Sequence, residues 1–136
     1  MKRKLAMLLV VTMLLCLVGC EQKKNYNPNL PESIVKGLLA MDKALDDYLE
    51  YNLTPSELAE KLEYLAERIE SDPWLDYESE SDAFVMLDKM SVSIICSCFG
   101  WRFIGFDSLS DSEKNKKIMD NIDEWKQDIA DVLYEE

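Results

Sequence analysis

The chain of 136 residues contains no histidine. This absence excludes Ser-His and Cys-His nucleophile pairs and removes the commonest general base of enzymes. The four glycines form neither a phosphate-binding loop nor a dinucleotide-binding motif. With 27 acidic residues, some carboxylates must lie close together, so a carboxylate pair carries no information about catalysis. The sequence therefore predicts no cofactor and no enzymatic activity, and an ordinary hydrolase is the least favoured class.

Basic residues are also scarce, with 15 Lys and Arg against 27 acidic residues and a net charge of −12. Binding to nucleic acid depends on Lys and Arg that neutralise phosphates, so the sequence predicts no nucleic-acid partner. Anionic lipid headgroups would repel the same surface. A cationic partner and simple solubility both fit this charge, and the charge alone does not separate them.

A long apolar run begins directly after the first four residues. Basic residues at positions 2–4 precede an uninterrupted apolar or neutral run over residues 5–18. This run is shorter than the roughly 20 residues that a membrane-spanning helix needs. The order of a basic start, a short apolar run and a small residue is typical of an export signal.

The run ends at Leu17-Val18-Gly19-Cys20, which resembles the lipobox of bacterial lipoproteins. The resemblance covers residues 1–20 and implies that diacylglycerol alkylates the Cys20 thiol and that the signal is cleaved between Gly19 and Cys20. Two acyl chains would hold the chain stably on the extracytoplasmic face of the cell membrane, or on an outer membrane where the host has one. The alternative is an ordinary signal peptide or a single N-terminal anchor. Cleavage would leave 12 basic against 27 acidic residues, a side-chain net charge of −15.

Composition divides the chain into three parts. Residues 1–19 are the predicted signal peptide, and residues 20–31 are the lipidated cysteine with a polar tether. The sequence EQKKNYNPNLP at 21–31 contains two prolines, as is typical of a flexible spacer. Residues 32–136 form one acidic domain that is long enough to bury its own core.

Three segments of this domain have helical periodicity. Residues 32–51 carry an apolar stripe of Ile34, Leu38, Met41, Leu45 and Tyr48. A second helix begins at the capping box of Thr54 and Glu57, and a last helix begins at Ser110 or Ser112, where Ser110 and Glu113 again have capping-box spacing. The last helix is predicted to run as one piece with an apolar face of Ile118, Ile122, Trp125, Ile129 and Val132 or Leu133. The expected fold is all-α, a small antiparallel bundle of three to four helices with an apolar third helix at its centre.

The segment at 84–106 supplies that third helix, and apolar residues occupy nearly all of its sides. A helix that is apolar all round is normally buried, which favours a central position wrapped by the other helices. A strand pair bent at Gly100 is an alternative, because short apolar runs are ambiguous. A third interpretation leaves part of the segment exposed as a contact surface, with Trp101, Phe103 and Phe106 as anchors for a partner. Arg102 would need an acidic mate if it were buried.

Cys96 and Cys98 are the only reactive-looking groups of the predicted mature domain. Side chains two residues apart on a helix point to nearly opposite sides, so two small buried hydrophobic residues are the favoured interpretation. A strained or intermolecular disulfide and a Cu(I) site with Met86 or Met90 are the alternatives.

Two functional hypotheses follow. The first is a non-catalytic lipoprotein that binds a protein partner or serves as an accessory module at the cell envelope. The second is a metal- or redox-handling lipoprotein that uses Cys96 and Cys98, with Met90 as a further ligand.

Overall fold

A computed structural model describes residues 25–76 and 82–134. Over these residues the chain forms five α-helices, two short 3-10 helices and no strand. The α-helices are α1 (Glu32–Leu49), α2 (Pro55–Glu70), α3 (Ala83–Arg102), α4 (Asp111–Met119) and α5 (Ile122–Leu133), and the 3-10 helices are Pro73–Leu75 and Phe106–Ser108. The prediction of an all-α bundle is confirmed, and the strand pair is wrong. The predicted signal peptide and the cleavage site between Gly19 and Cys20 lie outside the described residues.

Four of the helices form a closed ring around the core. Helix α1 packs against α2, α2 against α3, α3 against α5, and α5 returns to α1. The short helix α4 packs against α2 and α5. Each helix of such a bundle turns one side inward, and those inward sides make one continuous apolar core.

Local hydrogen bonds start α2 and α4 where the sequence predicts. The Glu57 backbone N–H donates to Thr54 Oγ1 at 3.3 Å, and the Thr54 N–H donates to Glu57 Oε2 at 2.7 Å. The Ser110 N–H donates to Glu113 Oε2 at 2.9 Å, and the Glu113 N–H donates back to Ser110 Oγ. Both capping boxes are confirmed, and Ser110 rather than Ser112 is the N-cap of α4.

The last predicted helix is broken into α4 and α5. Helix α4 ends at Met119, and α5 begins at Ile122. Asn121 interrupts the helix, since its side-chain amide donates to the Lys117 carbonyl at 2.7 Å in place of a continuing backbone bond. The predicted apolar face is nevertheless buried in both pieces at Ile118, Ile122, Trp125, Ile129, Val132 and Leu133.

Helices α1 and α2 approach each other closely at Gly37. A Cβ atom at this position would lie 2.6 Å from Ile69 Cγ1 of α2. Real Cβ contacts are not found at such a distance, so only glycine allows this packing. The predicted stripe of α1 is buried on either side of this point at Ile34, Leu38, Met41, Leu45 and Tyr48.

The folded domain begins before residue 32. The side-chain amide of Asn27 donates to Asp88 of α3 at 3.0 Å, and its backbone N–H donates to the Leu133 carbonyl of α5 at 2.8 Å. Asn27 and Leu30 are buried. The end of the predicted tether is therefore packed on the domain, because Asn27 finds hydrogen-bond partners on two helices at once.

Candidate interaction surface

Helix α3 has one buried face and one exposed face, and both are apolar. Val92, Ile95 and Phe99 are buried against the core. On the opposite side Ile94 is 59% exposed and Trp101 is 74% exposed. The expectation that α3 is buried on all sides is wrong, because α3 occupies one corner of a ring of four helices and its neighbours α2 and α5 cover only its inward side.

Residues on the outward side of α3 follow a regular spacing, with four exposed large apolar side chains and two partly buried small ones. We name this surface the α3 stripe, and it consists of Phe84, Leu87, Ser91, Ile94, Cys98 and Trp101. Successive members are three and four residues apart, which is the repeat that places side chains in a seam between two packed helices. At 1.5 Å per residue the stripe is about 25 Å long. The structure thus presents a helix-packing face that no described part of the chain covers.

Sequence reasoning missed the stripe as a whole and found only Trp101. The sequence does contain a signal for the stripe, which is the spacing of three and four residues that begins at Phe84. The buried residues of α3 have the same spacing in another phase, so the two patterns together make the helix apolar all round. The sequence of such a helix does not indicate which of its faces is buried.

Phe103 and Phe106, which the sequence analysis grouped with Trp101, are buried rather than exposed. Their rings meet at a centroid distance of 5.1 Å, and Phe103 packs at 5.8 Å against Trp125 of α5. These edge-to-face contacts fasten the end of α3 to the core. Of the three predicted anchors, only Trp101 has the exposure that docking requires.

Arg102 is partly buried and has an acidic mate of the kind that the sequence predicted for a buried Arg102. Its Nη2 atom lies 3.0 Å from Asp128 Oδ2 of α5. The guanidinium also lies over the rings of Phe99 and Trp125, at 5.0 and 5.2 Å from their centroids. Arg102 therefore links α3 to α5 and does not belong to the exposed stripe.

The α2 side of the stripe borders a groove of about 430 Å³. Ala66 and three glutamates of α2 line one wall, and Cys96, Ser97, Gly100, Trp101 and Ile104 line the other. The groove is open at Gly100, since a Cβ atom there would meet nothing within 4 Å. Apolar side chains and carboxylates thus share one concave surface.

The three glutamates, Glu63, Glu67 and Glu70, form what we name the acid row. All three are exposed and lie on one face of α2. Ser97 Oγ donates to Glu70 Oε1 at 3.4 Å, and within residues 25–76 and 82–134 no salt bridge joins the acid row to a cation. The groove therefore holds uncompensated negative charge beside exposed apolar side chains.

The two cysteines of α3 are free and point away from each other. Cys96 is buried and Cys98 is partly buried at the stripe, as a separation of two residues on a helix requires. Burial, together with the smaller effect of the negative charge of Glu70, raises the pKa of the Cys96 thiol to about 12. A thiol with this pKa stays protonated at neutral pH and is a poor nucleophile and metal ligand.

The third residue of the metal alternative, Met90, lies on the exposed part of α3. It precedes Cys96 by six residues, which is about 9 Å along the helix axis. No cluster of three His, Cys, Asp or Glu side chains suited to a metal ion is found among the described residues. One helix cannot bring Cys96, Cys98 and Met90 to a common point.

The stretch Ala83–Ser108 is the one helical stretch in the described part that is long and apolar enough to cross a membrane. Over an 18-residue window of this stretch the mean hydropathy is 1.5, and 28% of that window is buried in the fold. Only length and composition make this stretch a candidate for a membrane-spanning helix, and core helices of soluble proteins meet the same criterion. The large apolar side chains that this stretch exposes most are Phe84, Leu87, Ile94, Trp101 and Ile104.

Comparison of the chain with protein-family models, with curated proteins and with solved structures gives no match.

Proposed function

We propose that this chain is a lipid-anchored extracytoplasmic lipoprotein whose helical domain binds a protein partner through the α3 stripe. The observation that carries the proposal is the row of large apolar side chains that α3 leaves exposed. Soluble monomeric domains rarely keep a contiguous apolar patch of this kind without a use for it. The domain acts as a binding or accessory module at the cell envelope.

The energetics of the stripe favour a binding role. Burying an exposed Leu, Ile or Trp side chain in an interface contributes about 1.5 to 3 kcal/mol. Leu87, Ile94 and Trp101 lie seven residues apart, on one line along α3. Ser91 and Cys98 are small and alternate with them, so a partner's side chains can enter between the large ones. Trp101 has the residue type that most often dominates the binding energy of an interface.

The proposed anchor is the diacylglyceryl group on Cys20, which is supported by the lipobox resemblance. The first described residues pack between α3 and α5 through Asn27. Only a few residues then separate the anchor from the domain, which keeps the domain close to the membrane surface. The anchored domain would encounter a partner in the same membrane at a high effective concentration.

Site-specific photo-cross-linking tests the proposal. A photoreactive amino acid is placed at Ile94 or Trp101 of the full chain in its native host, and at Met119, which is also exposed, as the control. We expect one discrete protein adduct from positions 94 and 101 and none from position 119. No adduct from positions 94 and 101, or equal adducts from all three, would refute the proposed interface.

The anchor is tested separately. We expect Cys20→Ser to abolish labelling with a radioactive or clickable fatty acid and to release the chain from the membrane fraction. Cys16→Ser is the matched control, since the lipobox resemblance assigns no lipid to it. Retained labelling in the Cys20→Ser chain would overturn the assignment.

A further inference from the structure

We infer that the partner presents a basic amphipathic helix, whose apolar face lies on the α3 stripe and whose Lys or Arg residues face the acid row of α2. This inference rests on the proposed function and adds the chemistry of the partner to it. It assigns the groove between α2 and α3 as the recognition site.

The apolar half of the site matches a helix in form. The stripe is about 25 Å long and repeats every three and four residues. A helix of about 16 residues would lie along it and would place its own apolar residues between Leu87, Ile94 and Trp101. Beyond the end of α3, Ile104 is exposed and lines the same groove, which extends the apolar surface towards Glu63.

The acidic half of the site determines the charge of that helix. Glu63, Glu67 and Glu70 are spaced by four and three residues, so their carboxylates follow α2 for about two turns beside Ser97, Gly100 and Trp101. Cations at matching positions of a docked helix would reach all three. The indole of Trp101, exposed at the rim of the groove, offers a ring face to the same cations.

Charge argues against a second copy of this chain as the molecule that occupies the groove. A copy would bring its own acid row and a stripe that carries no cation between Lys89 and Arg102. Like charges placed opposite each other in an interface are repulsive. The same repulsion disfavours an anionic membrane surface, because the acid row would lie against the headgroups.

The probe for this inference is a synthetic helix of about 18 residues built from Leu and Lys, with one apolar face and one basic flank. An analogue with Glu in place of Lys is its control. The full chain is placed in nanodiscs of zwitterionic lipid, and binding to the immobilised peptide is measured against empty nanodiscs. We expect the Lys peptide to bind and the Glu peptide to bind at least about tenfold more weakly.

Matched variants locate the binding on the groove. The variant Glu63→Gln, Glu67→Gln, Glu70→Gln is expected to lose about tenfold in affinity and most of its dependence on salt. The control variant Glu50→Gln, Asp123→Asn, Asp131→Asn removes the same charge from exposed positions outside the groove and is expected to change affinity less than about threefold. Equal losses in both variants would show attraction to net charge alone and would overturn the inference.

The photo-cross-linking experiment separates this inference from the proposed function. The proposed function and this inference are both supported if position 101 gives an adduct whose cross-linked peptide maps to a basic amphipathic helix, and if the acid-row variant no longer gives that adduct. If the adduct forms but the acid-row variant keeps it, or if the adduct is a second copy of the chain, the inference is overturned and the stripe remains an interface. If positions 94 and 101 give only lipid adducts or none, the proposed function fails as well.

Discussion

Ile94 and Ile95 are adjacent on α3 and test directly which face of this helix is covered. Ile95 is 6% exposed and Ile94 is 59% exposed. We expect Ile95→Ala to lower the free energy of unfolding by about 2 to 4 kcal/mol, because it removes buried methyl groups and leaves a cavity. Ile94→Ala removes the same atoms from the surface and is expected to change stability by less than about 0.5 kcal/mol.

The pair is well matched because both substitutions change helix propensity equally, and each gains a few tenths of a kcal/mol from that source. The assay is urea unfolding of residues 21–136, followed by circular dichroism at 222 nm, with the slope of the transition compared between variants. A single domain of this size has a total stability of about 5 to 15 kcal/mol, so the loss in the Ile95 variant is readily measured. Equal losses, or a larger loss for Ile94→Ala, would refute the orientation of α3 and with it the exposed stripe.

Four further predictions concern packing, the two thiols and one helix cap. Gly37→Ala is expected to lower stability by about 1 to 3 kcal/mol in urea unfolding, since its Cβ has no room beside α2, whereas Gly100→Ala is expected to raise it by about 0.5 to 1 kcal/mol because its Cβ meets open space in a helix. The Cys96 thiol has an ordinary pKa of 9.0 that folding raises to about 12, so the folded state holds its proton more tightly and stability should fall by up to about 1.4 kcal/mol per pH unit between these values. The difference between the wild type and Cys96→Ala isolates this pH dependence, and a constant difference from pH 8 to pH 11 would contradict it. Iodoacetamide should modify the partly buried Cys98 in the folded chain and Cys96 only after unfolding, as peptide mass spectrometry would show. Thr54→Ala removes one capping hydrogen bond of α2 and is expected to lower the thermal midpoint, because the free energy of unfolding falls by about 1 kcal/mol. Thr54→Ser keeps a hydroxyl at this position and should retain most of the stability.

Features that depend on neighbours in the chain were predicted from the sequence. The capping boxes at Thr54 and Ser110 join atoms only three residues apart, so the residue types specify them before any tertiary contact forms. The apolar stripe of α1 is buried as its spacing indicates.

Features that depend on where helices lie in space were missed. The break at Asn121 comes from a side-chain bond to the backbone that competes with a continuous helix, and the sequence pattern runs through it unchanged. Phe103 packs against both Phe106 and Trp125 only because the chain turns after α3. Asn27 joins the domain because α3 and α5 present partners for it together.

The sequence by itself determined the all-α class, the start of α2, the excess of acidic charge and the resemblance of residues 1–20 to a lipobox, because each depends on composition or on residues a few positions apart. The tertiary structure alone decided which face of α3 meets water and that Glu63, Glu67 and Glu70 lie beside Trp101. Both faces of α3 are apolar, so periodicity had no means of choosing between them. The choice was made by the packing of α2 and α5 on one side of α3, which leaves the other side exposed to water.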